Sequence, residues 1–155
     1  TFEQSYAEID GDSASLGELC AIVSTLAELP VRQDMAVTGS VNPFGEVQPV
    51  GGVNEKVEGF HDACVARGDR QDKAVILPAT NIQNLMLDGR VRDAVRDHGF
   101  RVYPVTTVEE ALELLLGMPA GRPDSQGQYP ADTVYGRIEH RLTELRRRQD
   151  GEKSG

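Results

Sequence analysis

Two short segments carry residue types that could do chemistry together. Gly11-Asp12-Ser13-Ala14-Ser15 places a serine between small residues where a helix is predicted to begin. A backbone there can approach a substrate closely, and its free N–H groups can stabilise an oxyanion. Gly51-Gly52-Val53-Asn54-Glu55-Lys56 places a lysine in the first turn of a second predicted helix, where the helix dipole slightly disfavours an ammonium. Taken singly, the first segment is typical of a helix cap and the second of an exposed lysine.

Taken together, the two segments permit one mechanism. A serine hydroxyl needs a base before it becomes a useful nucleophile, and a neutral lysine amine can serve. A free lysine side chain titrates at about 10.4, whereas a base working at neutral pH ideally titrates at about 7–8. Desolvation in a closed site has to supply most of this difference. The spacing by itself does not bring the two side chains into contact.

Hydrophobic periodicity predicts the elements that position these segments in the first half of the chain. A weak alternation over residues 4–10 predicts a strand, and a helical stripe runs from Ser13 to a stop at Pro30. Residues 35–41 and 47–50 predict two strands of a hairpin around the turn at Asn42-Pro43-Phe44-Gly45. Pro49 donates no hydrogen bond, so the second strand should be short or lie at an edge. We expect Asn54 to cap a helix that ends at Gly68.

The second half of the chain alternates strands with helices. Residues 74–77 and 101–105 predict strands on either side of a helix that carries Val91, Ala94 and Val95. Thr107 and Glu110 form a capping box for a helix over 108–116. After a loop rich in Gly and Pro, a last amphipathic helix carries the stripe Val134, Ile138, Leu142 and Leu145. This order predicts an α/β domain over residues 1–149 with a mixed sheet and flanking helices, followed by a disordered tail at 150–155.

Composition and charge exclude several classes of function. A formal net charge of −9 argues against nucleic acid as a partner, and the basic cluster from Arg137 to Arg148 is typical of a solvated helix face. No apolar run is long enough to cross a membrane, and three isolated histidines indicate no metal site. Cys20 and Cys64 lie on helical stripes, which predicts buried free thiols and a cytoplasmic location. A chain that starts at Thr1 rather than Met is expected to be part of a longer protein.

Several ordered motifs resemble one known family. They are Gly11-Asp12-Ser13-Ala14-Ser15, Val31-Arg32-Gln33, Val37-Thr38-Gly39-Ser40-Val41 and the run Pro49-Val50-Gly51-Gly52-Val53-Asn54-Glu55-Lys56-Val57. These motifs are similar to the proteolytic domain of Lon proteases, in particular the archaeal-type branch and its bacterial Lon-like relatives. Lys56 follows Ser13 by 43 positions, in agreement with the family's spacing. The resemblance runs from about Gln4 to Leu145.

The resemblance implies a role for four residues. Ser13 would attack the scissile carbonyl, and Lys56 would take and return the proton. Thr38 matches the threonine that hydrogen-bonds the lysine in this family, although a β-branched residue is equally at home in a strand. Asp12 stands where the better-known bacterial Lon enzymes have proline. A carboxylate beside a lysine favours the ammonium, so we expect Asp12 to hold Lys56 in an idle form; alternatively, Asp12 is only a helix cap.

The resemblance also implies partners. The substrates would be unfolded or damaged polypeptides, and the protein would form a homo-hexamer. The chain has no GxxxxGK[ST] phosphate-binding loop, so no cofactor is expected here, and ATP with Mg²⁺ would act only if the parent protein has an ATPase module. Two alternatives stay open. One is a non-catalytic ring-forming module of the same fold, and the other is a small-molecule or phosphate-binding domain that uses the Gly51-Gly52 turn.

Overall fold

A computed structural model describes residues 12–152 of the chain. Its contacts divide the chain into two compact units. Of the described residues, the first unit comprises 12–17 and 34–106, and the second comprises 18–33 and 107–152. The predicted strand at residues 4–10 and the last three residues of the predicted tail lie outside the described residues.

A small parallel sheet organises the first unit. Strands β1 (Met35–Val37), β4 (Ala74–Pro78) and β5 (Arg101–Val105) form it in the order β1-β4-β5 among the described residues. Met35 pairs with Ala74 and Val37 with Ile76, while Ala74 pairs with Arg101 on the other side. Every residue of β4 is buried, as expected for the apolar central strand of a parallel sheet that is covered by helices.

Two helices, α2 (Val53–Ala66) and α3 (Gly89–Asp97), pack on this sheet. The two helices share an apolar core with β4. The core contains Val53, Val57, Val75, Leu77, Val91, Ala94 and Phe100. Asp88 caps α3 by accepting a hydrogen bond from the Val91 N–H. Of the three apolar residues noted in the sequence of α3, Val91 and Ala94 are buried and Val95 is 46% exposed. A 3₁₀ helix (Ala79–Asn84) follows β4 directly and was not predicted from the sequence.

The predicted hairpin forms, but in its own sheet. Strands β2 (Ser40–Val41) and β3 (Val47–Gln48) pair antiparallel, with Val41 opposite Val47. The Asn42 side chain accepts hydrogen bonds from the N–H groups of Phe44 and Glu46 and so builds the turn. The sequence predicted one mixed sheet; in the described residues the parallel and antiparallel strands lie in separate sheets. Thr38 and Gly39 separate β1 from β2, and the Gly39 N–H donates to Ser13 instead of to a strand.

The second unit is helical. It contains most of α1 (Ser15–Ala27), together with α4 (Val108–Leu116) and α5 (Val134–Glu152). Thr107 caps α4 as predicted, since its hydroxyl accepts from the Glu110 N–H at 3.4 Å; the return bond from the Glu110 side chain stays a prediction. Helix α5 extends to Glu152, beyond residue 150, where the tail was predicted to begin. Of its apolar stripe, Val134 is fully buried, whereas Leu142 and Leu145 are 40% and 37% exposed.

The basic cluster of α5 is less solvated than its sequence indicates. The Arg137 guanidinium donates to the Ala27 carbonyl at 2.8 Å, at the end of α1. Arg141 forms an ion pair with Glu28 at 3.2 Å. These two arginines therefore bind the end of one helix within the second unit, where the carbonyl ends of α1 favour positive charge.

The α/β class predicted from the sequence is confirmed. Cys20 and Cys64 are buried free thiols, also as predicted. Among the described residues, no helix has the length and apolar content needed to cross a membrane.

Candidate active site

The Ser13 segment is anchored at the carboxyl end of β1. Ser13 lies in a short 3₁₀ turn (Asp12–Ala14) that leads into α1. Its carbonyl accepts two hydrogen bonds, from the Gly39 N–H at 3.0 Å and from the Thr38 hydroxyl at 3.3 Å. The Leu16 N–H in turn donates to the Gly39 carbonyl at 3.1 Å. Ser13 is therefore held by its main chain, which leaves its side chain available.

The residues on either side of Ser13 strengthen this anchor. The Asp12 carboxylate accepts a hydrogen bond from the Ser40 hydroxyl. The Ser15 hydroxyl accepts from the Val41 N–H at 3.1 Å. The start of α1 is thus joined to the start of β2 by side chains on both sides of the serine, which restricts movement of the Ser13 backbone.

Gly39 permits the close approach of these two segments. A Cβ atom at this position would lie 2.9 Å from Leu16 Cδ2 and 3.2 Å from Val47 Cγ1. Both neighbours belong to buried side chains, so neither has free space to move into. A side chain here would force Leu16 or Val47 to shift, so glycine is the residue that best suits this close approach.

Lys56 lies in the first turn of α2. Gly52, in the left-handed conformation with φ of 65°, caps this helix without a side-chain hydrogen bond, and the Lys56 N–H donates to the Gly52 carbonyl at 3.0 Å. The predicted cap, Asn54, was wrong. Its side chain instead accepts from the Met86 N–H at 2.7 Å and donates to the Asn84 carbonyl at 3.4 Å.

The start of α2 is anchored to the segment that follows β4. Asn81, which is 5% exposed, accepts from the Val50 N–H and donates to the Val50 carbonyl, both at 3.0 Å. Because β1 and β4 are parallel neighbours, their carboxyl ends lie at the same edge of the sheet. Ser13 and Lys56 are therefore carried by segments that are fixed at one edge, within the first unit.

The side chains of the two residues are free at this edge. Lys56 is exposed and Ser13 is half-buried. Within residues 12–152, neither the Ser13 hydroxyl nor the Lys56 ammonium has a hydrogen-bond or ion-pair partner. An alcohol and an amine with no competing partner are the groups that a serine nucleophile and its base require.

The two supporting residues have other partners in this structure. The Thr38 hydroxyl donates to the Ser13 carbonyl, and its predicted bond to Lys56 stays a prediction. The Asp12 carboxylate faces Ser40, and the described residues contain no ion pair between Asp12 and Lys56. The idle-state contact therefore also stays a prediction, and here Asp12 helps to fix the segment that carries the serine.

Comparison with known proteins decides the family. Residues 6–118 match the Lon protease (S16) C-terminal proteolytic domain. The chain belongs to this family. The identification from sequence motifs is thereby confirmed, and the domain is of the serine-type peptidase class.

Curated relatives come from both branches that the motifs indicated. A putative Lon protease homolog of Escherichia coli K12 is 45% identical over 144 residues, which cover 93% of this chain and 24% of that protein. A putative Lon protease homolog of Haemophilus influenzae is 53% identical over 116 residues, or 75% of this chain and 19% of that protein. The archaeal Lon protease of Pyrococcus abyssi is 39% identical over 115 residues, which cover 74% of this chain and 10% of that protein. This Lon domain thus spans about a quarter or less of the curated relatives it matches.

Sequence reasoning missed the contacts of three residues that build the edge of this Lon domain. Ser40 binds Asp12, Asn81 binds Val50, and Asn54 binds the chain at residues 84 and 86. Ser40 lies inside a motif that was recognised, but its partner is 28 positions away. Asn81 had only a weak signal, a polar residue shortly after a buried strand. Each of these contacts joins distant segments, which local patterns do not reveal.

Proposed function

We propose that the protein carrying this Lon domain hydrolyses peptide bonds in other polypeptides, with Ser13 as nucleophile and Lys56 as general base. One observation carries the proposal. The serine and the lysine lie on segments fixed to the carboxyl ends of the neighbouring strands β1 and β4, and neither side chain has a partner within the described part of the chain.

The reaction would follow the usual course of acyl transfer. Neutral Lys56 accepts the proton of the Ser13 hydroxyl as its oxygen attacks the scissile carbonyl. The tetrahedral intermediate collapses to an acyl-enzyme, and the ammonium returns its proton to the leaving amine. Lys56 then takes a proton from water, which attacks the ester, and the serine is regenerated. Because Lys56 is exposed here, a bound substrate or a neighbouring copy has to cover it and favour the neutral amine.

The wider setting of the domain is part of the same proposal. The relatives are at least four times longer than the matched region, and their names describe proteases. We expect unfolded polypeptides as substrates, a homo-hexameric ring, and an ATPase module elsewhere in the protein that would use ATP and Mg²⁺. Two buried free thiols support a reducing cytoplasmic location.

Labelling with a fluorophosphonate, which acylates activated serines, tests the dyad. Wild type should be labelled at Ser13, and Ser13→Ala should abolish the label. Lys56→Ala should slow labelling by about 10²–10⁴-fold, as for loss of a general base. Lys73 offers a matched control, because it pairs with Asp69 at 2.7 Å just before the amino end of β4, and Lys73→Ala should label at the wild-type rate.

The outcomes separate the proposal from its alternative. Labelling at an unchanged rate in Lys56→Ala would remove the dyad. Absence of labelling in wild type, in every assembly state, would favour a non-catalytic module that only builds a ring.

A further inference from the structure

The amide of Asn81 makes both of its hydrogen bonds to a single residue. Its Oδ1 accepts from the Val50 N–H and its Nδ2 donates to the Val50 carbonyl, each at 3.0 Å. The side chain thereby takes the place of a strand and pairs with residue 50 as a β-bridge would. Asn81 is 5% exposed and lies on the 3₁₀ helix that follows β4. These two hydrogen bonds, called the Val50 bracket below, join the carboxyl end of the central strand to the chain just before α2.

The segment between the Val50 bracket and α2 has few other contacts. A Cβ at Gly51 would meet nothing within 4 Å, and one at Gly52 would meet only Glu55 Oε2, at 3.7 Å. Both glycines are exposed. Since glycine is the most flexible residue, the position of this segment depends on what holds its two ends, which are the Val50 bracket and the buried Val53 at the start of α2.

Lys56 is attached directly to this segment. Its N–H donates to the Gly52 carbonyl at 3.0 Å, which closes the first turn of α2. Asn54, two positions before the lysine, adds a second amide bracket to the Met86 N–H and the Asn84 carbonyl. Asn81 and Asn54 thus fix the first turn of α2 against the same segment after β4, from both sides of Gly52.

We propose that Asn81 is a positioning residue that acts on catalysis through Lys56, by holding Val50 and hence the start of α2 at the edge where Ser13 lies. This inference rests on the proposed Ser13–Lys56 dyad. An amide is the side chain that suits the task, because it carries a donor and an acceptor side by side. Aspartate of the same size would keep the acceptor but lose the donor.

The test is a double-mutant cycle on the purified protein, read as the rate constant of Ser13 labelling by a fluorophosphonate. Circular dichroism first establishes a temperature at which all variants are folded. Asn81→Ala should slow labelling by about 10–100-fold, since a shift of about 1 Å in a catalytic group costs about 10²-fold. In a Lys56→Ala background the same change should slow labelling by less than about 2-fold, because the group it positions is already absent.

Further variants keep the test decisive. Asn81→Asp should slow labelling at least as much as Asn81→Ala does, because a buried carboxylate oxygen would then face the Val50 carbonyl oxygen. Asn54→Ala removes the second bracket from a half-buried position and should show the same dependence on Lys56. If Asn81→Ala does not fold, Asn81→Ser, which loses the paired bonds to Val50 but leaves a smaller gap, takes its place in the cycle.

Each outcome has one meaning. An equal loss in both backgrounds would show a general structural role for Asn81 and overturn the inference. A wild-type labelling rate in Asn81→Ala, with Lys56→Ala slow, would also overturn it while leaving the dyad intact. A wild-type rate in Lys56→Ala would instead refute the proposed dyad.

Discussion

Replacement of Gly39 by alanine, which adds one methyl group, should disturb the Ser13 segment. The new Cβ would lie 2.9 Å from Leu16 Cδ2, 3.2 Å from Val47 Cγ1 and 3.4 Å from Leu16 Cβ. Leu16 is fully buried and Val47 is 7% exposed, so the surrounding core has no space to relax. The start of α1 has to move away from the end of β1.

The expected cost follows from this geometry. Overpacking of a filled core by one methyl group costs about 1–3 kcal/mol, which for a chain of this size lowers the melting temperature by about 2–12 °C. The Gly39 N–H and carbonyl hold the main chain at Ser13 and Leu16. A movement of Leu16 therefore shifts the nucleophile, and we expect the rate of Ser13 labelling to fall by roughly 10-fold.

Gly59 provides the matched control. It lies within α2, three positions after Lys56, and a Cβ there would meet nothing within 4 Å. Gly59→Ala should therefore raise the free energy of unfolding by up to about 1 kcal/mol, through helix propensity alone. Urea denaturation measures the free energy of unfolding of both variants. The same added methyl group should lower this free energy at residue 39 and raise it at residue 59.

A second comparison isolates the steric cause. Leu16→Val removes the Cδ2 atom that lies nearest to the new methyl group, so Gly39→Ala should cost less in that background than in wild type. If Gly39→Ala is as stable as wild type and labels at the same rate, Gly39 is not required for close packing and the reasoning about this contact fails.

Three other expectations concern single residues. Thr38→Val should lose about 1 kcal/mol of stability and slow labelling, because the donor to the Ser13 carbonyl is gone. Thr38→Ser keeps the hydroxyl and should retain both the stability and the labelling rate. Equal behaviour of the two variants would refute the role of the hydroxyl. Gly136→Ala would place a Cβ against the Pro130 carbonyl oxygen, so a loss of about 3 kcal/mol or more is expected in thermal melts. A wild-type melting temperature would contradict this packing. Burial raises the pKa of the Cys20 thiol from 9.0 to about 11. The folded protein therefore keeps this thiol protonated at pH values where the unfolded chain loses the proton. The stability that the buried thiol contributes is present below pH 9 and is lost as the pH rises through 11. Cys20→Ala should flatten the alkaline fall of the free energy of unfolding in urea titrations, and an unchanged slope between these pH values would refute that assignment.

Elements with a strong local signal were predicted well from the sequence. The Thr107 cap, the apolar run at residues 74–77 and the turn at Asn42 all depend on residues within a few positions of one another. The predicted cap of α2, Asn54, was wrong because its side chain has other partners. Asn54 has the side chain of a good cap, but distant N–H and carbonyl groups at residues 84–86 compete for it, and Gly52 begins the helix in its place.

The sequence alone determined the identity of the candidate nucleophile and base, the alternation of helices and strands, and the family. All three are carried by residue type and spacing along the chain, which the order of amino acids fixes directly. Only the tertiary structure decided that the hairpin leaves the parallel sheet, and that the segments of Ser13 and Lys56 are anchored at the same edge. Those outcomes depend on hydrogen bonds and close contacts between residues 25 to 32 positions apart, and such pairings follow from packing in three dimensions rather than from any local pattern.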